Sequence, residues 1–283
     1  MADWSEWIGR EERRSDRIDS AAHGRWLATL DRAAPADGKV AQGYHWCVCL
    51  PDAPTAALGD DGHPRRDESP GGLLPPAPQT RRMWASSRIE FVAPLRVGDA
   101  VERVSQVVSV TEKQGGSGAL LFVDLLHETS GPDGLAVREV QTLVYRDPPP
   151  AGSPPQPPPP GAELFDPAGW SAHRLVRPGE ALLFRFSALT FNSHRIHYDA
   201  PYATAVEGYR GLVVHGPLTA TLLLDLARRE LGDNALQAFA FRAVSPAISG
   251  EALHLAMRGE GAEIELVALA GDGREVMRAS ASA

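Results

Sequence analysis

Cysteine is scarce in this sequence: only two of its 283 residues are cysteine, Cys47 and Cys49. On an extended strand, residues two apart point to one face, so these two thiols cannot readily form a disulfide with each other. A disulfide framework is therefore excluded, and a buried strand is the better interpretation. His45 continues the same spacing, but no fourth ligand follows at a suitable distance in sequence, so we predict no metal site.

Long apolar runs and clusters of basic residues are also lacking. The longest apolar stretch, around Leu222 to Leu226, is interrupted by Asp225, and the N-terminus lacks the apolar core of a signal peptide. The formal net charge is −8, with positive residues scattered along the chain. These features predict a soluble, cytoplasmic protein that binds neither membrane nor nucleic acid.

Proline, by contrast, is concentrated in residues 147–160, where the sequence reads DPPPAGSPPQPPPP. Because proline lacks an amide donor and fixes φ, neither a helix nor a central strand can form there. We interpret this stretch as a semi-rigid linker. It separates an N-terminal domain, residues 1–146, from a C-terminal domain, residues 161–283.

The two halves share a pattern that indicates an internal repeat. In each, a strand-like segment leads through a proline-containing turn to a glycine and an acid, Gly98-Asp99 in the first half and Gly250-Glu251 in the second. Strand-like stretches separated by glycine-rich turns follow, as in antiparallel hairpins. The predicted strands cover residues 101–110, 119–127, 137–145, 252–257, 262–269 and 275–279.

The strongest helical pattern runs from Pro217 to Leu231, with proline in the first turn, arginines in the last turn and a glycine after it. Apolar residues lie almost all round its first half, as expected for a helix enclosed by a sheet. Residues 21–32 form a weaker counterpart. The sequence therefore predicts an α+β fold in which two antiparallel sheets each wrap around a helix. Residues 51–80, rich in proline and glycine, are predicted to form a loop that could cover a ligand.

Proton-transferring groups are concentrated between Phe191 and Pro217, in the stretch FNSHRIHYDAPYATAVEGYRGLVVHGP. Its three histidines lie just before the predicted helix, which marks it as the candidate site. The histidines at 45, 127, 173 and 254 match no motif, and we expect them to be structural.

Two pieces of this segment resemble the hydratase-2 motif of MaoC-like proteins, an acid-x-Asn-Pro-aliphatic-His stretch followed by His-Gly. They are Asn192-Ser193-His194-Arg195-Ile196-His197 and His215-Gly216. The similarity is closer to the fungal-fatty-acid-synthase-like dehydratases, which include mesaconyl-C4-CoA and itaconyl-CoA hydratases and mitochondrial type 2 hydroxyacyl-thioester dehydratases. Segments of the first half also resemble that subgroup: Gly59-Asp60-Asp61-Gly62-His63-Pro64, Leu74-Pro75-Pro76 and Arg82-Met83-Trp84-Ala85.

The resemblance implies a double hotdog fold whose C-terminal half is catalytic and whose N-terminal half helps to hold the acyl group. It also implies reversible hydration of a 2-enoyl thioester of coenzyme A or an acyl carrier, without a metal or redox cofactor. A short branched or dicarboxylic acyl group, such as mesaconyl-C4-CoA or itaconyl-CoA, is the expected substrate. A homo-oligomer is expected by analogy.

Three residues are the expected catalytic groups. An unperturbed imidazole titrates near neutral pH, so His197 is predicted to be the acid/base that activates water. Asn192 stands where the family pattern has an aspartate, and because an amide cannot take a proton as a carboxylate does, we expect it to orient the water. Gly216 is expected to offer a backbone amide to the thioester oxygen and to let the thioester approach closely.

Four residues are expected to contact the substrate: Arg195, His215, Asp199 and Arg82. Arg195 and Arg82, with Arg66, are candidate clamps for a substrate carboxylate, although Arg195 could instead pair with an acid inside the fold. His215 could instead support the helix entrance.

Two other functions fit the same residues. One is thioester hydrolysis, which hotdog folds also support and which would release a free thiol. The other is non-catalytic binding of an acyl thioester, suggested by the amide at position 192.

Overall fold

The two halves of the chain contain their strands in the same order. A computed structural model describes residues 3–66, 71–115, 118–150 and 152–283. The first half contains β1 (Glu11–Arg17), α1 (Ser20–Thr29), β2 (Arg81–Phe91), β3 (Ala100–Gly115), β4 (Gly118–Gly131) and β5 (Gly134–Arg146). The second contains β6 (Ala172–Val176), α2 (Glu180–Leu189), α3 (Ala200–Ala205), α4 (Gly216–Leu231), β7 (Ala238–Ala243), β8 (Leu253–Glu260), β9 (Glu263–Ala270) and β10 (Glu275–Ser282).

The strands of the described residues form one antiparallel sheet in the order β1-β3-β4-β5-β2-β7-β10-β9-β8-β6. Strands β1, β3, β4, β5 and β2 correspond in turn to β6, β8, β9, β10 and β7, which confirms the predicted repeat. The halves join where β2 pairs with β7, with Ile89 opposite Phe239. Both of these side chains are buried. The two predicted sheets are therefore continuous across this strand pair.

Helix α4 lies within the C-terminal half, one residue longer than predicted. It packs against all five strands of that half, β6 to β10. Its leucines from Leu218 to Leu226 are almost fully buried, as a helix enclosed by a sheet requires, whereas Leu231 at its end is exposed. None of the helices in the described ranges combines the length and apolar character needed to span a membrane.

The N-terminal half covers its part of the sheet differently. Helix α1 follows an edge strand as α2 does, so the repeat makes it the counterpart of α2 rather than of α4. Between α1 and β2, the described residues form only short 3₁₀ helices, Tyr44–Cys47 and Thr55–Ala57. The loop predicted over residues 51–80 is otherwise irregular, with residues 67–70 outside the described part.

The strand predicted around Cys47 and Cys49 is wrong. Cys47 ends a 3₁₀ helix that starts after a left-handed glycine, and Cys49 itself has a φ of 52°. Residues 44–49 are all buried, and a short, almost continuous apolar run cannot be distinguished from a buried strand by its spacing. Both thiols are free and buried, and burial raises the pKa of Cys47 to about 12.

The proline-rich stretch 147–160 runs along the C-terminal half. Its described residues form no helix or strand, as their proline content predicts. The Gln156 amide donates to the Gly208 carbonyl (2.9 Å), and the Arg210 amide donates to the Gln156 carbonyl (3.0 Å). The stretch is thus attached beside the segment that leads from α3 to α4.

Candidate functional site

A short 3₁₀ helix, Arg195–His197, connects α2 to α3 and carries the central histidine. The Val213 amide donates to the Ile196 carbonyl at 2.9 Å, and His197 Nδ1 contacts the Val213 carbonyl at 2.7 Å. These bonds join the 3₁₀ helix to the extended residues just before α4. They place His197 beside the amino end of that helix, with its side chain buried.

The contact with Val213 fixes the tautomer of His197. A carbonyl oxygen only accepts hydrogen bonds, so Nδ1 carries the hydrogen and Nε2 keeps its lone pair. Burial lowers the pKa of His197 to about 3, although the Val213 hydrogen bond opposes that shift. The ring is therefore neutral at physiological pH and can accept a proton at Nε2.

His215 stacks on His197, with ring centroids 3.5 Å apart and planes 20° apart. It is the residue immediately before α4, and its Nε2 lies 2.9 Å from Ser187 Oγ of α2. Its Nδ1 is buried and has no hydrogen-bond partner among the described residues. Burial, followed by the charge of His197, lowers the pKa of His215 well below the ordinary value. The stacked pair is thus neutral, because a charge on one ring disfavours a charge on the other.

Gly216 is the first residue of α4, where backbone amides have no acceptor within the helix. A Cβ added to Gly216 would meet no atom within 4 Å. Neither a close neighbour nor a left-handed φ therefore accounts for glycine here. The open space next to its backbone, at the positive end of a 16-residue helix, suits the approach of a polarised carbonyl.

Asn192 shapes the turn that follows α2. The preceding residue, Phe191, has a left-handed φ of 48°. Asn192 Oδ1 accepts a hydrogen bond from the His194 amide at 2.9 Å. The Nδ2 group is a donor that can contact a water molecule, and Oδ1 keeps a second lone pair.

Arg195 and Asp199 are paired with each other. Arg195 Nε and Nη2 donate to Asp199 Oδ2 at 3.0 and 2.7 Å, and the guanidinium lies 4.0 Å from the centroid of the Tyr202 ring. Asp199 Oδ1 also caps α3 by accepting from the Tyr202 amide at 3.0 Å. These contacts account for both side chains without a ligand, and their contact with substrate stays a prediction.

The other two arginines differ in their surroundings. Arg66 donates to the backbone carbonyls of Ala77, Gln79 and Thr80, so its guanidinium is engaged in holding its own loop. Arg82 lies on β2, partly buried, and its charge contributes to the lowered pKa of His194. Of the three candidate clamps, Arg82 is the one whose charge acts on a histidine of the motif.

A loop of the N-terminal half contacts the site. Arg195 donates from its amide to the Asp61 carbonyl at 2.8 Å, and Ser193 Oγ donates to the Gly62 carbonyl at 2.5 Å. His63 Nδ1 lies 3.0 Å from Asp61 Oδ2, and the rings of His63 and His194 have centroids 4.0 Å apart. The loop therefore brings a carboxylate and a fourth imidazole to the three histidines of the motif.

Burial and neighbouring groups shift the pKa values of two residues of this cluster. Burial, then the neighbouring His63, lower the pKa of His194 to about 3. Burial opposes ionisation of Asp61, but the hydrogen bonds and charge of His63 outweigh it and lower the pKa of Asp61 to about 2. The ligating atoms of Asp61, His63 and His194 all lie within 4.8 Å of one another, so this trio is also the group that could hold a cation.

Sequence reasoning did not assign Asp61, His63 or His194 to the site. The signal was an Asp-Asp-Gly-His run in a loop expected to cover a ligand. Gly62 of this run and Ser193 of the motif, which contact each other, are 131 positions apart. Spacing alone could not bring the two together.

Comparison of the sequence with known proteins shows that this chain is similar to hydratases and dehydratases. The family model for hydroxyacyl-thioester dehydratase type 2 matches residues 43–249. A mesaconyl-C(4)-CoA hydratase from Chloroflexus aurantiacus is 43% identical over 282 residues, which are 99% of this chain and 97% of that protein.

Solved structures confirm the double hotdog fold. A MaoC-like dehydratase from Phytophthora capsici has a TM-score of 0.74 at 13% identity, with 99% of this chain and 98% of that chain covered. A Mycobacterium tuberculosis protein described as a double hotdog has a TM-score of 0.59 at 15% identity, with 97% and 95% covered. At such identities the likeness establishes the fold alone.

Proposed function

The chain belongs to the hydroxyacyl-thioester dehydratase type 2 family, and we propose that it hydrates a 2-enoyl-CoA thioester reversibly at the site around His197. The observation that carries this proposal is the fixed tautomer of His197. Its Nδ1 is bound to the Val213 carbonyl at 2.7 Å, which leaves Nε2 as a base beside the amino end of α4.

In the hydration direction, water attacks C3 of the enoyl thioester while His197 Nε2 takes its proton. The electron pair of the C2–C3 double bond moves toward the thioester, whose oxygen gains negative charge. The Gly216 amide and the helix dipole of α4 stabilise that charge. A proton then binds C2, so that one water is added across the double bond. Dehydration is the reverse, and no external oxidant or cofactor enters the balance.

The substrate we propose is a short branched or dicarboxylic acyl-CoA. The support is the 43% identity with the mesaconyl-C(4)-CoA hydratase over nearly the whole of both chains. Mesaconyl-C4-CoA and itaconyl-CoA are therefore the first compounds to test. Arg82, which is partly buried on β2 and whose charge contributes to the lowered pKa of His194, is the proposed partner of the second carboxylate.

The remaining assignments follow the repeat. We place the motif-bearing catalytic domain at residues 161–283, the linker at 147–160 and the acyl-holding domain at 1–146. In the same proposal, Asn192 donates from Nδ2 to the attacking water, and His215 supports His197 by stacking. A cytoplasmic homo-oligomer is the proposed form of the protein.

The test is an absorbance assay of the enoyl-thioester chromophore with crotonyl-, mesaconyl-C4- and itaconyl-CoA, run beside a thiol-release assay. His197→Ala should abolish hydration, with a loss of roughly 10²- to 10⁴-fold in kcat, as expected for removal of a general base. His173→Ala is the matched control, because His173 lies exposed on β6.

Each outcome has a distinct meaning. Loss of absorbance without thiol release supports hydration, whereas thiol release at the same rate would make the protein a thioesterase. Binding of the thioesters without turnover of any of them would indicate a binding protein and overturn the proposal.

A further inference from the structure

Four imidazoles form a continuous row across the boundary between the two halves. Ring centroids are 4.0 Å apart for His63 and His194, 5.5 Å for His194 and His197, and 3.5 Å for His197 and His215. The first ring belongs to the N-terminal half and the other three to the motif. At the outer end of the row, Asp61 Oδ2 holds His63 Nδ1 at 3.0 Å.

Hydration of an enoyl thioester needs two proton transfers, one from water and one to C2. His197 can make the first, but the motif here has an amide, Asn192, where a carboxylate would assist the second. Asp199 is engaged by Arg195 and by the cap of α3. Within the described ranges, Asp61 is the carboxylate that hydrogen-bonds to a ring of the row.

We propose that His63, oriented by Asp61, is the second proton-transfer residue of this site, an inference that rests on the proposed hydration. As water oxygen bonds to C3, His197 Nε2 accepts the proton of the breaking O–H bond. The electron pair that reached the thioester then forms the C2–H bond with a proton from the His63 imidazolium. The proton on His197 leaves to solvent when the product is released, and His63, which is 22% exposed, takes one up from solvent, so that both residues are restored after net addition of one water.

The contacts of His63 fit this task. Its hydrogen bond to Asp61 holds the ring at Nδ1, so Nε2 is the nitrogen that exchanges protons. The side chain is 22% exposed, so it can also exchange protons with solvent. The titratable and charged groups that lie against its loop are Asp61 in the loop itself, His194 before the 3₁₀ helix, and Arg195, whose Nη1 donates to the Asp60 carbonyl at 2.9 Å.

A divalent cation on Asp61, His63 and His194 is the competing use of the same atoms. A cation bound to both Asp61 Oδ2 and His63 Nδ1 would lie between these atoms and replace their hydrogen bond. A separation of 3.0 Å fits both uses, because two ligands about 2.1 Å from one zinc ion also lie roughly 3 Å apart, so a chelator is needed to distinguish them.

The test compares His63→Gln and Asp61→Asn with Asp60→Asn, which makes the same change at an exposed carboxylate one residue away. With the best substrate of the wild-type protein, we expect His63→Gln to lower kcat by roughly 10²- to 10⁴-fold, with KM changed only a few-fold. Asp61→Asn should lower kcat about 10-fold or more, because it keeps the acceptor but removes the charge. Asp60→Asn should leave kcat unchanged.

Two further measurements separate chemistry from structure. Added imidazole should restore part of the activity of His63→Ala, and the decline of wild-type kcat at high pH, where the acid loses its proton, should disappear in that variant. Thermal melting and thioester binding establish that the variants are folded.

Three results would overturn the inference. An active wild type with His63→Gln at more than half its kcat refutes the role of His63 and leaves the proposed function intact. Inactivation by a chelator that zinc reverses makes the trio a metal centre. A folded wild type that hydrates none of the thioesters overturns the proposed function together with this inference.

Discussion

Replacing Gly216 by alanine should separate stability from activity. An added Cβ meets no atom within 4 Å, and the residue lies in a helix rather than in a left-handed conformation. Glycine-to-alanine changes at compatible positions stabilise proteins by about 0.4–1 kcal/mol, chiefly by restricting the unfolded chain. If the open space is where the thioester oxygen approaches the amide, the methyl group blocks it. Loss of one such donor lowers kcat by about 10²- to 10³-fold.

Steady-state hydration kinetics and urea unfolding of Gly216→Ala test both parts of this expectation. Gly24→Ala is the control, because Gly24 lies exposed in α1, where an added Cβ also meets no atom within 4 Å. Both variants should be as stable as the wild type or more so, and only Gly216→Ala should lose activity. If Gly216→Ala kept wild-type kcat, the thioester oxygen would not bind at the start of α4.

Three more predictions follow from single side chains. Arg82→Gln should raise KM at least 10-fold for mesaconyl-C4-CoA but leave crotonyl-CoA hydration within about 2-fold, as expected for loss of a charge-assisted hydrogen bond; equal effects on both substrates would exclude a carboxylate clamp. Asp225→Ala should reduce the free energy of unfolding by about 3 kcal/mol, because it leaves Arg174 and Arg229, each 2.8 Å from the buried carboxylate, without their partner. Asp52→Ala, which removes an exposed ion pair, should reduce the free energy of unfolding by at most about 1 kcal/mol when both variants are unfolded in urea. Equal losses for Asp225→Ala and Asp52→Ala would contradict this expectation. The lowered pKa of His197 means that the unfolded state binds the proton first, so stability should fall between about pH 6.5 and 3, by up to about 1.4 kcal/mol per pH unit. Unfolding of His197→Gln should show a shallower decline, and an unchanged slope would refute the assignment.

The repeat and the motif were predictable because both depend on local sequence. Gly98-Asp99 and Gly250-Glu251 mark equivalent turns, and the caps of α4 fix its ends. The fold class and the position of His197 followed from these signals. The strand at Cys47 was mispredicted because residues 44–49 are all buried, and a short, almost continuous apolar run gives the same signal as a buried strand.

The contribution of Asp61 and His63 could not be predicted from spacing, because it depends on how the halves differ. Both have the same strand order, but among the described residues only the second half has a long helix, α4, before its β7. The first covers its sheet with buried Tyr44, Trp46 and Val48.

After these buried residues the described chain continues without a long helix, and it reaches the motif of the other half. At the contact, Gly62 has a φ of +85°, and an added Cβ would lie 2.0 Å from the Ser193 carbonyl oxygen. So close an approach of two backbones requires glycine at this position. The divergence of the repeat therefore has a consequence for the site: the half without the motif places His63 beside His194.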